Sequence, residues 1–464
     1  MSLLLHRPGT TFLMVFTLGY LSALAAALIW LRYGPEQILL LTLGAVGVGV
    51  MALRPYVAVH VFMFVMFFEN SLAKIGDITV MKALGAITLA GWLASILIQR
   101  RLGLQRSAML LVMLIFLAWM GVCVPGAFDA GTGLVQFTSY LQLGLSAIML
   151  HSVIRTPKHL RGVLIGFVVW TVVSTVIAIV MYYAGVSRVA IGLTGNRNLL
   201  ATYINLALVC SLLVLPTLKS RLPQIGLAVS LPILFLGLAL TLSRTAIVVM
   251  ALTLLVVWYR LAREHGMLIL LGSAATIAVL LFLLPAAFWQ RTESIVPTIE
   301  RREDTFGLRL KIWELGRKMI DDHPILGVGP GNFPQASQLY ARGEILGRGL
   351  ASHNMYINVA TETGLVGLGF FLVMMIFAVL NTRRATHRAR DHGDESLAHD
   401  AIAVEMMLWI LLGQGLTGDH IIQKSFWLIL GLSLAADGLT RPLATKARLP
   451  AGAAVRPVPE GAGA

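Results

Sequence analysis

The sequence predicts an all-α, polytopic integral membrane protein of about 12–14 transmembrane helices, with one large outer loop containing amphipathic helices. Three observations carry this prediction. The first is composition: of 464 residues, 57% are hydrophobic and 12% charged, with a mean hydropathy of +0.82. Globular proteins have about a quarter of their residues charged, so half that share cannot coat a fold of this size and most of the surface must face lipid. A soluble enzyme is excluded. The second is that the apolar residues come in runs close to the roughly 20 residues that a spanning helix needs. The third is that these runs break for long only once, between about 286 and 362.

In chain order the runs fall at about 11–31, 37–53, 56–69, 79–99, 107–124, 134–153, 161–184, 198–216, 224–242, 245–261, 267–285, 363–382, 400–417 and 421–438. Two pairs are thinly divided, 37–53 from 56–69 by Leu53-Arg54-Pro55 and 400–417 from 421–438 by Gly418-Asp419-His420; twelve spans with re-entrant pieces fit the same pattern. The first run, about 21 residues with no small-residue cleavage site, reads as a span and not as a signal peptide. The organisation is then N-terminal transmembrane helices at 1–185, central ones at 186–285 carrying outer-edge arginines, a large outer loop at 286–362, C-terminal transmembrane helices at 363–438, and a disordered tail at 439–464.

The chain carries 36 Lys and Arg against 22 Asp and Glu, a formal charge of +14 and a pI near 10.2. In a soluble protein this would suggest nucleic acid; in a membrane protein it is a statement about sidedness, and no nucleic-acid partner is expected. Alternating the runs from a cytoplasmic N-terminus puts 20 of the 36 basic residues in loops on one side, among them Arg100, Arg155, Lys219 and Arg383. The positive-inside rule makes that side the cytoplasm. The two cysteines, Cys123 and Cys210, sit inside apolar runs, which argues against a disulfide framework or a thiolate metal site.

The long loop reads as folded. Residues 307–320, GLRLKIWELGRKMI, put Leu308, Ile312, Leu315 and Met319 on one helical face and Arg309, Lys311, Arg317 and Lys318 elsewhere. After Asp322-His323-Pro324 comes ILGVGPGNF (325–333), glycine-rich like a phosphate loop but without the preceding strand, following helix or Lys-Ser/Thr that such a loop needs. It reads as a glycine turn returning the chain to the membrane. Residues 351–367, ASHNMYINVATETGLVG, place His353 and Asn354 at the lip of the next run.

Arginines at a membrane edge need a wet cavity or a partner. Arg188 and Arg197, in SRVAIGLTGNRNLLATY (187–203), and Arg244, in LTLSRTAIVV (240–249), all fall on the outer side, against the charge trend. A snorkelling helix-end arginine is the common alternative for any one of them; three together call for an anionic ligand. Guanidinium is a permanently charged fork of donors matched to phosphate oxygens, and at a membrane edge it can meet a headgroup whose tail stays in lipid. Donors that stabilise charge on a departing diphosphate, with a histidine to take a proton from an incoming hydroxyl, describe transfer of a glycosyl group from a lipid diphosphate.

At these residues the chain resembles the O-antigen ligase and polymerase superfamily of bacterial envelope proteins. The resemblance runs from about Arg188 to about Phe371 through GLTGNRNLLA (192–201), LSRTA (242–246), the arginine-bearing helix with DDHPILGVGPGNF (321–333), and SHNMYINVATETGLVGLGFF (352–371). It implies a metal-independent, cofactor-free, inverting transferase of the bacterial inner membrane, acting at the periplasmic face on glycan carried by undecaprenyl diphosphate. By motif, Arg188 and Arg244 would grip the diphosphate, His353 would be the catalytic base or position the glycosyl acceptor beside Asn354, and Arg309 would contact glycan or phosphate. Arg197 stands where the family often has proline. A ligase, with lipid A-core as acceptor, is the leading implication. A polymerase with a growing glycan as acceptor, which could work with a chain-length regulator, and a protein O-oligosaccharyltransferase share the donor. A polysaccharide transporter is the reading from another class; Lys82, Glu405 and Lys424, within or close to apolar runs, would support it if they lined a central path.

Overall fold

A computed structural model describes residues 35–68, 74–75, 78–100, 103–257, 305–341 and 351–448. The expected runs at 11–31 and 267–285 lie outside these, as does 449–464 of the expected tail; the first part of that tail, 439–448, is not disordered but continues the last helix to Arg448. The chain divides into two compact units, Met1–Gly103 and Leu104–Ala464. In the first, helix α1 (Pro35–Leu53) and helix α2 (Tyr56–Phe68) pack on helix α3 (Val80–Gln99). A two-residue antiparallel ladder, Lys74–Ile75 with Ile78–Thr79, precedes α3. Met63 and Phe67 of α2 are buried.

The second unit holds α4 (Ala108–Cys123), α5 (Ala130–Val153), α6 (Pro157–Tyr183), α7 (Arg197–Val214), α8 (Arg221–Thr241), α9 (Arg244–Val257), α10 (Thr305–Asp322), α11 (Phe333–Tyr340), α12 (Met355–Asp391), α13 (Glu395–Gln414) and α14 (Lys424–Arg448). The protein is all-α apart from the short ladder. Among the described residues six helices, α5 to α8, α12 and α13, are long and apolar enough to cross a membrane, and α1 to α4 and α9 contribute shorter apolar stretches. Their ends follow local chemistry. Asp129, Thr156, Asn196, Asn354 and Asp394 each accept a first-turn backbone N–H as N-caps, satisfying donors that the helix itself leaves open.

α12 packs against α4, α13 and α14, α14 also against α5, and α13 also against α7. The resulting core is large and apolar; Tyr140, Phe167, Tyr203, Phe371, Phe426 and Trp427 are fully buried. Leucines, valines and isoleucines such as Leu97, Leu111, Val180, Leu222 and Ile376 face outward, as lipid-facing positions do.

The glycine turn packs onto a break in α12 at Gly364 (φ 70, ψ 178). The groups freed by the break are taken up by the turn: Val328 and Gly329 N–H donate to the Thr361 and Glu362 carbonyls, and Leu365 N–H donates to the Pro324 carbonyl. The Glu362 carboxylate accepts from Phe333 N–H. The amphipathic face expected for 307–320 is real and is used inside the protein: Ile312 and Met319 are buried with Val328, Phe333 and Ala336, flanked by Leu308, Leu315 and Ile357.

Candidate functional site

Three helix starts converge at one end of the second unit. Arg197 opens α7, behind the Asn196 cap. Arg244 opens α9 two residues after Leu242, whose left-handed backbone (φ 52) turns the chain sharply out of α8. The two helices are tied by the Asn205 side chain, which donates to the Ala246 carbonyl at 2.7 Å. The third start is Asn354, whose Oδ1 accepts from Tyr356 and Ile357 N–H while its Nδ2 donates to the Leu416 carbonyl. Its neighbour His353 also has a left-handed backbone (φ 50), an unusual conformation for a non-glycine residue and one often found at functional sites.

Arg309 arrives from α10. One turn further on, Trp313 Nε1 donates to the Ser352 carbonyl at 3.0 Å, so the residues that place Arg309 also hold the segment carrying His353. The fifth contribution is the turn between α13 and α14, held to the His353 segment by Met355 N–H donating to the Gly415 carbonyl and Tyr356 Oη–H to the Leu412 carbonyl.

Between these segments lies a cavity of about 720 Å³. Its lining includes Arg197, Arg244, Arg309, His353, Gln414, Asp419 and His420. Four of the six expected site residues therefore meet there. Asn354 is next to the lining, its Oδ1 engaged as the cap and its Nδ2 bonded to the Leu416 carbonyl. Arg188 is exposed and does not line the cavity, although Ala190, two residues on, donates its N–H to the Leu240 carbonyl near the Arg244 turn. Gln414, Asp419 and His420 were not singled out by sequence. For Asp419 and His420 the signal is the polar interruption Gly418-Asp419-His420 between two apolar runs; Gln414 lies inside the first of those runs and has only its own polarity to mark it.

Electrostatically the site is cationic. Two arginines sit on helix N-termini, whose dipoles also favour an anion. Burial lowers the pKa of the Arg309 guanidinium, and its Nε has no partner. Burial, and next the Arg309 charge, hold the His353 imidazole below its usual range, which favours its neutral form. Burial pushes the Asp419 carboxyl up to about 7 and the His420 imidazole down to about 4. Such a lining can bind a multiply charged anion and offers several groups able to accept a proton.

Among known families, residues 229–372 match the model described as O-antigen ligase, the family whose motifs the sequence resembles. No curated protein matches the chain. The matched region contains Arg244, Arg309 and His353; Arg197 precedes it, and Gln414, Asp419 and His420 follow it.

Proposed function

We propose that this protein is a membrane glycosyltransferase that moves a glycan from undecaprenyl diphosphate to a hydroxyl of lipid A-core, acting as an O-antigen ligase at the periplasmic face of the inner membrane. The observation that carries the reading is the convergence of Arg197, Arg244, Arg309 and His353, from four separate segments, on one cavity at one end of the helix bundle. A diphosphate supplies the charge that this cavity lacks, and its lipid tail can stay in the bilayer while the headgroup enters.

In this mechanism Arg244 and Arg309 hold the diphosphate, with Arg197 beside them and Arg188 meeting the headgroup at the membrane edge. The glycosyl-acceptor hydroxyl attacks C1 from the face away from the phosphate, the C1–O bond breaks, and undecaprenyl diphosphate departs with inverted configuration left at C1. Arginines that follow the charge as it builds on the leaving group lower the barrier directly. The diphosphate is already an activated leaving group, so no further energy source is needed. His353 serves as the base or positions the acceptor. Glu405, one group that could have pointed to a transport path, is instead paired with Arg383 at 3.1 Å and accepts from Trp409 Nε1.

The test is reconstituted transfer from a polyprenyl-diphosphate glycan. Arg244→Ala is expected to lose about 10²–10³ in kcat, the effect of removing one preorganised donor, and His353→Ala to slow transfer with binding of the donor retained. Full activity in both variants overturns the site. Gene deletion separates the acceptors: full-length lipid-linked chains accumulating without glycan on lipid A-core indicates the ligase, single repeat units on the core a polymerase, and unglycosylated protein with unchanged lipopolysaccharide a protein transferase.

A further inference from the structure

One part of the cavity lining is poorly matched to a diphosphate. Gln414, the last residue of α13, is 3% exposed, and neither its Oε1 nor its Nε2 has a partner. Asp419 Oδ1 and His420 Nδ1, in the turn that follows, are likewise buried and unpartnered. Native chains rarely leave such atoms unsatisfied, and several together on one cavity wall call for something that completes them.

The chemistry of these atoms is specific. The His420 ring bonds to the Gln414 backbone; since Nδ1 is the unpartnered nitrogen, Nε2–H is the donor to that carbonyl and Nδ1 keeps its lone pair. Asp419 accepts from Ile421 N–H with its other oxygen. The wall therefore presents three hydrogen-bond acceptors, Gln414 Oε1, Asp419 Oδ1 and His420 Nδ1, and the Gln414 amide as a donor. Phosphate oxygens only accept and cannot use most of it. The arginines contribute only donors. The lining is thus sorted into a part that suits phosphate and a part that suits hydroxyl groups.

The turn is held rigid. Asn354 Nδ2 and Met355 N–H fasten the Leu416 and Gly415 carbonyls to the His353 segment, and Trp427 Nε1 donates to the Ile421 carbonyl at 2.8 Å. A side chain at Gly418 would press on His420 Nε2.

We propose that Gln414, Asp419 and His420 form a subsite for the hydroxyls of the glycosyl-acceptor sugar, and that the Asp419 carboxylate takes the proton of the attacking hydroxyl. This rests on reading the cavity as the site of glycosyl transfer. The oxygen forms its bond to C1 as the C1–O bond to phosphate breaks with its electron pair leaving on the diphosphate, and the proton passes to Asp419. His353 then positions the sugar and does not take the proton, because an imidazolium beside the Arg309 guanidinium would be repelled. The groups that bear on Asp419 are Glu362 and Tyr140, which interact with it electrostatically, its neighbour His420, and Arg197, Arg244, Arg309 and His353 in the same lining. A base is most effective with a pKa near the working pH, and burial brings the Asp419 carboxyl up to about 7 while it lowers both histidines from their usual value.

The experiment is steady-state transfer in nanodiscs across pH, with a polyprenyl-diphosphate glycan and a lipid A-core acceptor. Wild-type kcat should rise as pH increases through about 7. Asp419→Asn should lose that limb and about 10²-fold or more in kcat with donor affinity unchanged. Gln414→Ala should raise the glycosyl-acceptor KM more than it lowers kcat. Asp419→Glu, which keeps a carboxyl, should keep the limb at a reduced rate, and it carries the test should Asp419→Asn fail to elute and melt as a folded protein. A folded Asp419→Asn with wild-type kcat and the limb intact overturns the proposal, as does a limb that disappears in His353→Ala instead, or an Asp419→Glu protein indistinguishable from wild type. Wild-type protein that does not transfer from the lipid diphosphate removes the underlying reading and the subsite with it; active wild type with unaffected Asp419 variants removes the subsite alone.

Discussion

Arg309 shows how a surface helix can deliver one charge to a buried site. It is half-buried on α10 with no partner for Nε, while Lys318 and Arg317 on the same helix are exposed and paired with Glu314 and Asp321. A guanidinium keeps its charge under this degree of burial, and its fork can bridge two phosphate oxygens, which an ammonium cannot. Arg309→Ala is therefore expected to lower kcat/KM for the lipid-linked donor by about 10²-fold, and Arg309→Lys to restore only part of it. Kinetics on the two purified variants checks this; a lysine variant as active as wild type would mean that only the net charge matters. The exposed Lys318→Ala variant should be indistinguishable from wild type in the same assay, since exposed ion pairs contribute little.

At the scale of elements, the break in α12 fixes where the site can form. Gly364 has a backbone conformation open essentially only to glycine, and a Cβ there would run into the Ile325 carbonyl. Gly364→Ala should cost at least about 1–3 kcal/mol from backbone strain alone, read as a lower melting temperature in detergent. The glycine turn should then separate from α12, carrying α10 and Arg309 with it, so donor binding should weaken although the substitution is remote from the cavity. A wild-type melting temperature would show that the turn and the helix are not coupled in this way.

The helices themselves were legible because a lipid-facing or buried helix must be apolar over its whole length; α5, α6, α7 and α8 start within a few residues of the runs that announced them. So was the inner face of α10, because its period of apolar residues is that of a helix against a core. The break at Gly364 was not, since a glycine in TETGLVG looks the same whether or not the turn at 325–329 comes to meet it. The hydroxyl-binding wall was hidden for a different reason: Gln414, Asp419 and His420 lie beyond the matched region and become a group only when α13 and α14 fold against the His353 segment. Arg188 illustrates the converse. Its motif setting marked it, but the cavity is built from helix starts, and Arg188 lies in the exposed loop before them.

Across the whole second unit, the arginines fall into separate groups. The cavity end gathers Arg197, Arg244 and Arg309. Elsewhere in the unit, acidic side chains buried in the bundle pair with arginines of α6, α12 and α14: Asp400 holds Arg161 at 2.9 Å, and Asp437 holds Arg388 at 2.8 Å and Arg441 at 2.5 Å. Ion pairs of this kind leave those arginines oriented and the loops around them still net basic, the pattern that retains a segment in the cytoplasm. On that orientation the cavity would open away from the cytoplasm, the side on which the proposed transfer takes place. The chain is suited to a direct test, because its two cysteines, Cys123 and Cys210, are buried and such thiols are unreactive. A cysteine introduced at an exposed position is then the site of labelling. Lys318→Cys, on α10, is expected to react with a membrane-impermeant maleimide in intact spheroplasts, whereas Lys219→Cys, exposed between α7 and α8, should react only after the membrane is permeabilised. The reverse pattern would put the arginine cavity on the cytoplasmic side and remove the periplasmic mechanism. Labelling of both in intact cells would mean that the alternation of helices has been read with the wrong parity between them.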